Sequence, residues 1–402
     1  MDVAFFSESY VPTLDGVAHV VHGLARQMTR WGHRVRVYTP NPVHGAPTER
    51  VEIEGVPVIR VRAIPVPLYH QYSWGLFPFK QLRGENFARD VDVIHLHTPG
   101  MMGTTAFLAA RHFGKPLLGT FHTNVWAMRE SFPSTAILNL FFRVARWYTL
   151  GTYLRCDLTT APTEAARNEL LYASRKPFRV PVEVVPNGIE LDRFRPGLRV
   201  PDWRVRCGLP DGPLATYLGR LTVDKGVHRF LDAVSEVAPE HRFSAIVAGA
   251  GPEEANVRER IGKDERLAGR VRYVGPVAEE EKAALLSQTN VFVVPSTSDT
   301  ASISLLEAMA CGVPCLASDL GGLRDVVEDG RTGRLVSVTQ SGALARALGE
   351  LLADPAERAR LAGEALRQVR ANASIDVTAR RFISLYELLL SRRSLHATDT
   401  AE

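Results

Sequence analysis

Cysteine is scarce in this 402-residue chain, and its four copies are scattered. Cys156, Cys207, Cys311 and Cys315 are too few for a disulfide framework. Cys311 and Cys315 flank Gly-Val-Pro, which is not a metal-ligand spacing, so all four read as structural thiols of a reducing compartment. Long apolar runs are missing too: no stretch reaches the ~18 uninterrupted apolar residues of a membrane span. The start, Met1-Asp-Val-Ala-Phe-Phe6, has no basic segment ahead of its apolar run. It reads as a buried strand rather than a secretory signal. No dense basic tract or aromatic–basic interleaving is present, which argues against nucleic acid as a partner. These absences predict a cytoplasmic protein, at most held peripherally on the inner face of a membrane.

What is present is an ordinary globular composition, 45% hydrophobic and 23% charged. At roughly 100–200 residues per domain the length predicts two domains, each able to bury its own core. The net charge of +4 is uneven: residues 1–196 carry 22 Lys and Arg against 16 Asp and Glu, the remainder 26 against 28. The basic excess of the first half is either a solvated surface or an attraction for an anionic acceptor or anionic lipid.

Strand-like and helix-like segments alternate along both halves. In the first, strands are expected at Asp2–Phe6, Arg34–Tyr38, Val91–Leu96 and Pro116–Thr120. Helices are expected at Gly16–Trp31, where Val17, Val20, Val21, Leu24 and Met28 share a face, and at Ala106–His112, capped by Gly114. In the second, β-rich runs stand at Ala215–Leu218, Ser244–Val247, Val271–Val274, Val291–Val294 and Cys315–Ala317. Between them lie helical segments such as His228–Val237, Glu279–Ser287 and Ser302–Ala310. This rhythm predicts an α/β fold of two Rossmann-like, doubly wound parallel-sheet domains. A proline-rich, strand-poor stretch places the linker near 195–212. The domains are expected at 1–195 and 196–376. A C-terminal helix at 377–392, able to cross back to the N-terminal domain, and a frayed tail at 393–402 follow. Ligands of open parallel sheets bind at the carboxyl ends of the strands, so two such domains facing each other predict a site in the cleft between them.

Two stretches carry chemistry. In Tyr217-Leu-Gly-Arg-Leu-Thr-Val-Asp-Lys-Gly226 a strand runs into Gly219, and Arg220 and Lys225 follow in the loop before a helix. Two cations at a strand's carboxyl end suit a diphosphate, bound and then stabilised as it leaves. The plain alternative is two surface cations on a connecting loop. In the stretch from Pro295 to Pro314 a strand ends at Val294, a polar loop follows, and a helix opens at Ser302. Its first backbone N–H groups can take an anion or sugar hydroxyls. Glu307 lies about one turn into that otherwise apolar helix, among Ile303, Leu306 and Met309, and needs a partner. Vicinal ribose hydroxyls would supply one; an internal hydrogen bond to the backbone is the alternative. His95 and His97 are expected to alternate to opposite faces of a strand, so that they cannot share a metal.

In this order and with these neighbours, the stretches resemble family 4 of the retaining glycosyltransferases (glycosyl transferases group 1), which have the two-Rossmann GT-B fold. Val184-Val-Pro-Asn-Gly-Ile189, Ala248-Gly-Ala-Gly-Pro252, Val271-Arg-Tyr-Val-Gly-Pro276 and the stretch from Gly321 to Gly330 extend the resemblance over nearly the whole chain. The resemblance implies a hexosyltransferase with a UDP- or GDP-linked sugar as co-substrate, no cofactor and no metal. It also implies roles. Arg220 and Lys225 match the pair on the donor diphosphate. Glu307 matches the second acid of the family's Glu-x7-Glu motif, on the donor ribose. The first acid falls on Asp299, one methylene shorter, and the usual Phe-Gly falls on Ala301-Ser302, so these departures bear on which hexose is taken. Gly249, Thr300, Ala301, Ser302 and Ile303 complete the donor side. In the N-terminal half Gly16, within Leu14-Asp-Gly-Val17, lets backbone approach the phosphate or the acceptor closely. His122, in Gly119-Thr-Phe-His-Thr123, matches a histidine that contacts the donor sugar near its reacting carbon. His122, Arg220, Lys225 and Asp299 are the catalytic candidates. Asp90-Val-Asp92 resembles the Asp-x-Asp of metal-dependent transferases, but it precedes a strand rather than following one, and no metal site is assigned.

The implied mechanism is front-face displacement, since no carboxylate pair suited to double displacement is evident at the site. Rival readings are a retaining phosphorylase or nucleotide-sugar hydrolase on the same fold, or a catalytically silent sugar-nucleotide-binding protein. On the acceptor side, Ile64–Phe79 reads as an aromatic loop too proline-rich for a helix. Phe141–Leu150 combines apolar bulk with Arg143 and Arg146. With Thr98–Met102 and Phe121–Asn124 they resemble the branch of lipid mannosyltransferases and sulfoquinovosyl-diacylglycerol synthase. That implies a lipid-linked acceptor and a peripheral membrane contact, against a small soluble cyclitol or secondary metabolite.

Overall fold

Strands buried on both faces read as unbroken apolar runs, and β1 (Asp2–Phe6) is one, with every residue buried. The computed structural model describes all residues except 14, 67–68, 77–81, 83–86, 123–128, 130–134, 175, 179–180, 199–202, 238–241 and 400–402, and the side chains of 69–72, 88 and 394–399. After β1 come β2 (Arg34–Pro40), β3 (Glu49–Ile53), β4 (Val56–Val61), β5 (Ala63–Val66), β6 (Tyr69–Gly75), β7 (Val93–Leu96), β8 (Leu117–Thr120), β9 (Leu158–Ala161) and β10 (Glu183–Val184). One sheet has the order β10-β9-β8-β7-β1-β2-β4-β3, parallel except for β3 against β4. The second sheet holds β11 (Leu214–Leu218), β12 (Ser244–Ala248), β13 (Val271–Gly275), β14 (Val291–Val294), β15 (Cys315–Ser318) and β16 (Arg334–Val336). Its order is β13-β12-β11-β14-β15-β16, parallel throughout. The chain moves outward in both directions from β1 and from β11, so each sheet has a switch point beside its first strand, where doubly wound sheets open a crevice at the strands' carboxyl ends.

The chain divides into two compact units, Met1–Arg129 with Ser134–Gly188 and Ile375–Glu402, and Ile189–Ser374. In the first, α1 (Gly16–Arg30) packs Val21, Leu24 and Met28 on Val3 and Phe5 of β1, the face its apolar spacing predicts. The last helix, α11 (Ile375–Asp399), closes the same core with Ala379, Phe382, Tyr386 and Leu389. The rest of the helices that matter below are α2 (Met101–Phe113), α3 (Ala136–Tyr153), α4 (Glu164–Ala173), α5 (Val227–Glu236), α6 (Glu254–Lys263), α7 (Glu279–Ser287), α8 (Ile303–Ala310), α9 (Ala343–Ala353) and α10 (Pro355–Asn372). No helix among the described residues is long and apolar enough to cross a membrane.

Several expectations are corrected. The stretch 195–212 is not a linker apart from both domains: Phe194 and, further on, Trp203 and Leu209 are buried in the second unit's cores, and the division falls at Gly188 and Ile189. The expected frayed tail is helical through Asp399. α2 begins five residues before the expected Ala106, although Gly114 caps it in the left-handed conformation as expected, at φ 61°. The expected aromatic loop contains an antiparallel strand pair, β5 with β6, because the prolines fall where a two-stranded ribbon tolerates them; residues 67–68 and 77–79 of that stretch lie outside the described residues.

Candidate functional site

Three loops meet at the carboxyl edge of the second sheet, after β11, β12 and β14. The loop after β11 carries Arg220 and Lys225, and the loop after β14 carries Asp299 to Ser302. Glycine is what lets them touch. Gly249, following β12, has φ +137°, and a Cβ there would stand 1.8 Å from the Gly219 carbonyl oxygen. Gly226 has φ +73°, and its Cβ would stand 2.1 Å from the Pro295 carbonyl oxygen. Neither position admits a side chain. The Thr297 N–H donates to the Asp224 carbonyl at 2.7 Å, tying the two loops together.

Within this cluster Lys225 Nζ donates to Asp299 Oδ2 at 2.8 Å and lies 3.3 Å from the Ser298 carbonyl. Arg220 Nη2 lies 4.0 Å from Asp224 Oδ2, and the Tyr217 hydroxyl donates to the Arg220 carbonyl at 2.8 Å. The two cations are part-buried rather than surface groups, Arg220 at 33% side-chain exposure and Lys225 at 21%, and Asp299 beside Lys225 is at 8%. Ala301 and Ser302 are buried. Ser302 caps α8 by accepting from the Leu305 N–H at 3.4 Å. Ile303 packs partly buried against the adjoining core. Thr300 sits between Asp299 and Ala301 in the same loop.

Glu307 has a protein partner that the sequence did not suggest: Lys282 of α7, at 3.3 Å from Oε1. Burial pushes its carboxyl above the usual range, and Lys282 pulls it back. Sequence reading missed Lys282. Its place on the inward face of α7, one turn before the buried Leu286, is evident only in the fold.

In the first unit, Gly16 is the opening residue of α1, with Asp15 as its cap: Asp15 Oδ1 accepts from the Ala18 N–H at 2.8 Å. His122 follows β8 and is buried. Its Nε2 lies 3.2 Å from Nδ1 of His97, and burial lowers its pKa to about 4 against a raising contact from Asn187. His95 and His97 do not face opposite ways: their ring centroids are 3.8 Å apart. Two residues along a strand is one full period, so both side chains share a face. His95 contacts the Tyr386 hydroxyl at 2.6 Å and Thr120 Oγ1 at 2.7 Å. Among the described residues no group of three His, Cys, Asp or Glu could hold a metal. Asp92 instead accepts from the Asp2 N–H at 2.8 Å, at the amino end of the sheet. Thr123 and Asn124 lie outside the described residues.

Glu8 stands just after β1. Its Oε1 accepts from the Met102 N–H at 2.6 Å, and burial raises its pKa to about 7. It lines a cavity of about 230 Å³ with Tyr10, Thr39, His44, Arg60 and Ser73.

Comparison with known proteins accounts for both units. Residues 14–193 match the model Glycosyltransferase Family 4, and residues 201–368 match Glycosyl transferases group 1. A GDP-mannose-dependent alpha-mannosyltransferase of Mycolicibacterium smegmatis is 32% identical over 399 residues, 99% of this chain and 100% of the relative. An alpha-monoglucosyldiacylglycerol synthase of Streptococcus pneumoniae is 25% identical over 345 residues, 83% of this chain and 75% of the relative. The solved structure of sucrose-phosphate synthase from Thermosynechococcus elongatus has the same fold, with a TM-score of 0.77 at 24% identity over 98% of this chain and 100% of that one. The chain therefore belongs to the group 1 glycosyl transferases of family 4, and it is a glycosyltransferase of GT-B fold.

Proposed function

We propose that the chain moves a hexosyl unit from a nucleoside-diphosphate sugar to an acceptor hydroxyl with retention of configuration and without a metal. The observation that carries this reading is the cluster of Arg220, Lys225 and Asp299 at the carboxyl edge of β11 and β14. Charge that develops on a departing diphosphate meets two cations already in place, which need no reorganisation at the moment of reaction. The anomeric carbon–oxygen bond to phosphate breaks, the acceptor oxygen bonds to that carbon on the same face, and the acceptor proton passes to the departing phosphate oxygen. Asp299 offers its carboxylate to a sugar hydroxyl, and Glu307 accepts from the ribose. The Mycolicibacterium relative is named for GDP-mannose, which makes GDP-mannose the first donor to try, beside UDP-linked hexoses.

For the acceptor, the reading is a lipid-linked molecule met at a membrane surface. It is supported by the apolar outer face of α3 and by a relative named for a diacylglycerol glycolipid. The test is product analysis with GDP-mannose and UDP-glucose, each offered a diacylglycerol-based acceptor or myo-inositol, in EDTA. An α-linked product from an α-linked donor, at undiminished rate in EDTA, is expected. A β-linked product would overturn retention, and a strict need for Mg²⁺ or Mn²⁺ would overturn the metal-free reading. Free sugar alone would mark a hydrolase, and sugar 1-phosphate made only with phosphate present would mark a phosphorylase.

A further inference from the structure

Glu307 is 2% exposed, on a helix whose other residues are apolar or small. An ionised carboxylate in such a place needs a counter-charge. α7 supplies it. Lys282 Nζ lies 3.3 Å from Glu307 Oε1 and 2.7 Å from Glu279 Oε2. Glu279 Oε1 in turn lies 3.3 Å from Arg193 Nη2, whose side chain is 31% exposed. The four side chains make a line of alternating charge that begins near the surface and ends on Glu307. Burial alone would lower the Lys282 ammonium, but Glu307 and Glu279 outweigh it and hold it above its ordinary range.

The line uses one oxygen of Glu307. Oε2 is out of contact with water and has no hydrogen-bond partner among the described residues. Buried polar atoms are nearly always satisfied, and an exception asks for an explanation. A pair serving stability alone gains nothing by leaving one acceptor unmade at the end of a charge relay.

We infer that Lys282 is a positioning residue of the donor site, pinning Oε1 of Glu307 so that Oε2 is presented to the vicinal hydroxyls of the donor ribose. This rests on the reading of Glu307 as the ribose acid. It adds that the acid's aim and ionisation are set from α7, a helix that contributes none of the sequence-predicted donor contacts. The charged and titratable groups facing Glu307 are Lys282 and Glu279 from α7 and Arg193 from the loop before β11. One turn on, at the C-cap of α8, lies Cys311, whose thiol is pushed up to about 12 by burial and by Glu307 itself.

The experiment is calorimetric titration of the full chain with GDP and UDP and with their 2′-deoxy and 3′-deoxy forms, at pH 6 and pH 8. Wild type should prefer the ribonucleotide. Lys282→Met should weaken ribonucleotide binding by about tenfold or more, the size of one charge-assisted hydrogen bond, and should erase most of the preference over the deoxy forms. Its affinity should also rise from pH 6 to pH 8, because the carboxyl without its cation ionises later. Lys282→Arg should keep the preference. A folded Lys282→Met with wild-type preference and a lowered melting temperature would overturn the inference and leave Lys282 a structural residue. If Lys282→Met does not fold, Glu307→Gln is compared with the double variant Lys282→Met/Glu307→Gln, in which neither charge is stranded. Equal nucleotide preference in those two supports the coupling, and a further loss in the double variant overturns it. A Glu307→Gln protein that keeps the full ribose preference would instead sink the ribose reading, and with it the role of Lys282.

Discussion

Lys225 Nζ stands 2.8 Å from Asp299 Oδ2. The cation expected on the donor diphosphate and the acid expected on the donor sugar are therefore partners of one another, and neither can be altered without disturbing the other. The Ser296 hydroxyl also lies 3.4 Å from Asp299 Oδ2, which further fixes the carboxylate.

Asp299 should govern both sugar choice and diphosphate affinity. Asp299→Asn removes a negative charge from beside the diphosphate, a like-charge relief on the order of 1 kcal/mol even at the dielectric of bulk water. Free nucleoside diphosphate should bind severalfold tighter while turnover falls, because the sugar loses its charged acceptor. Asp299→Glu keeps the charge and lengthens the reach by a methylene, so it should change relative rates among donor sugars more than nucleotide affinity. Titration with the free nucleotide and rates with several donor sugars decide it. Weaker nucleotide binding in Asp299→Asn with unchanged sugar preference would refute this division.

Arg220→Ala and Lys225→Ala should each cost turnover by roughly 2.7–4 kcal/mol, by analogy with the loss of one donor to a developing oxyanion. Their stabilities should differ. Arg220 is 4.0 Å from a part-buried Asp224, a longer pair than Lys225 makes with Asp299, so its loss should lower the melting temperature less than the loss of Lys225. Lys225→Ala strands Asp299 at 8% side-chain exposure, and should lower the melting temperature measurably more. Wild-type rates in both variants would mean the site lies elsewhere.

The second unit was readable because its parallel strands are short apolar runs and its loops carry cations and glycines at their ends. Arg220, Lys225 and Asp299 fall in one cluster because β11 and β14 are neighbours, an order that alternation alone does not dictate. Lys282 was not readable as a site residue, since a lysine on a Glu-rich helix looks like a solvated face until the fold turns it inward. His95 and His97 stand one full strand period apart, so their shared face follows from spacing alone and not from any peculiarity of the fold. β3 and β4 pair antiparallel through charged residues at Glu49, Arg50 and Glu52, an edge with too little apolar signal to stand out. The close of the second unit hid for a different reason. The bridge between Ile189 and Ser374 brings its two ends together across most of its length, and no local pattern encodes a contact of that separation.

Acid should unfold the first unit through its histidines. His95, His97 and His122 are all held below the ordinary histidine range by burial, His122 at about 4. A depressed folded pKa gives stability that is present above about 6.5 and lost as pH falls toward the folded value. For His122 alone the shift corresponds to roughly 3 kcal/mol. Glu8 and Glu307, both raised by burial, run the other way, so the difference between proteins is the cleaner measure. Urea unfolding at pH 7.5, 6.5, 5.5 and 4.5 should give a flatter loss of stability in His122→Asn than in wild type. Equal slopes would show that His122 is not held neutral by its surroundings.

α3 turns an apolar face to solvent. Ile137, Leu140, Val144 and Trp147 are spaced by three and four residues, so they share one stripe, and that stripe is bare: Ile137 is 81% exposed and Trp147 72%. From Thr135 to Arg155 the chain has no acidic residue, while Arg143 is exposed. Apolar and aromatic side chains with arginine beside them are the composition of a helix that lies in a membrane interface. Anionic lipid adds attraction for the cations and none of the repulsion an acid would bring. Vesicles of phosphatidylglycerol should therefore co-sediment the protein better than vesicles of phosphatidylcholine, and added salt should weaken the difference as it screens the charges. Trp147→Glu should reduce that binding by about tenfold or more, the equivalent of leaving a large apolar side chain in water. Transfer to a small soluble acceptor should be unchanged by the same substitution, because the stripe is not a donor contact. Vesicle binding that ignores both Trp147→Glu and Ile137→Glu would dismiss α3 as the docking face. No vesicle binding at all, with rapid glycosylation of a cyclitol, would move the acceptor into solution and leave the donor site as described.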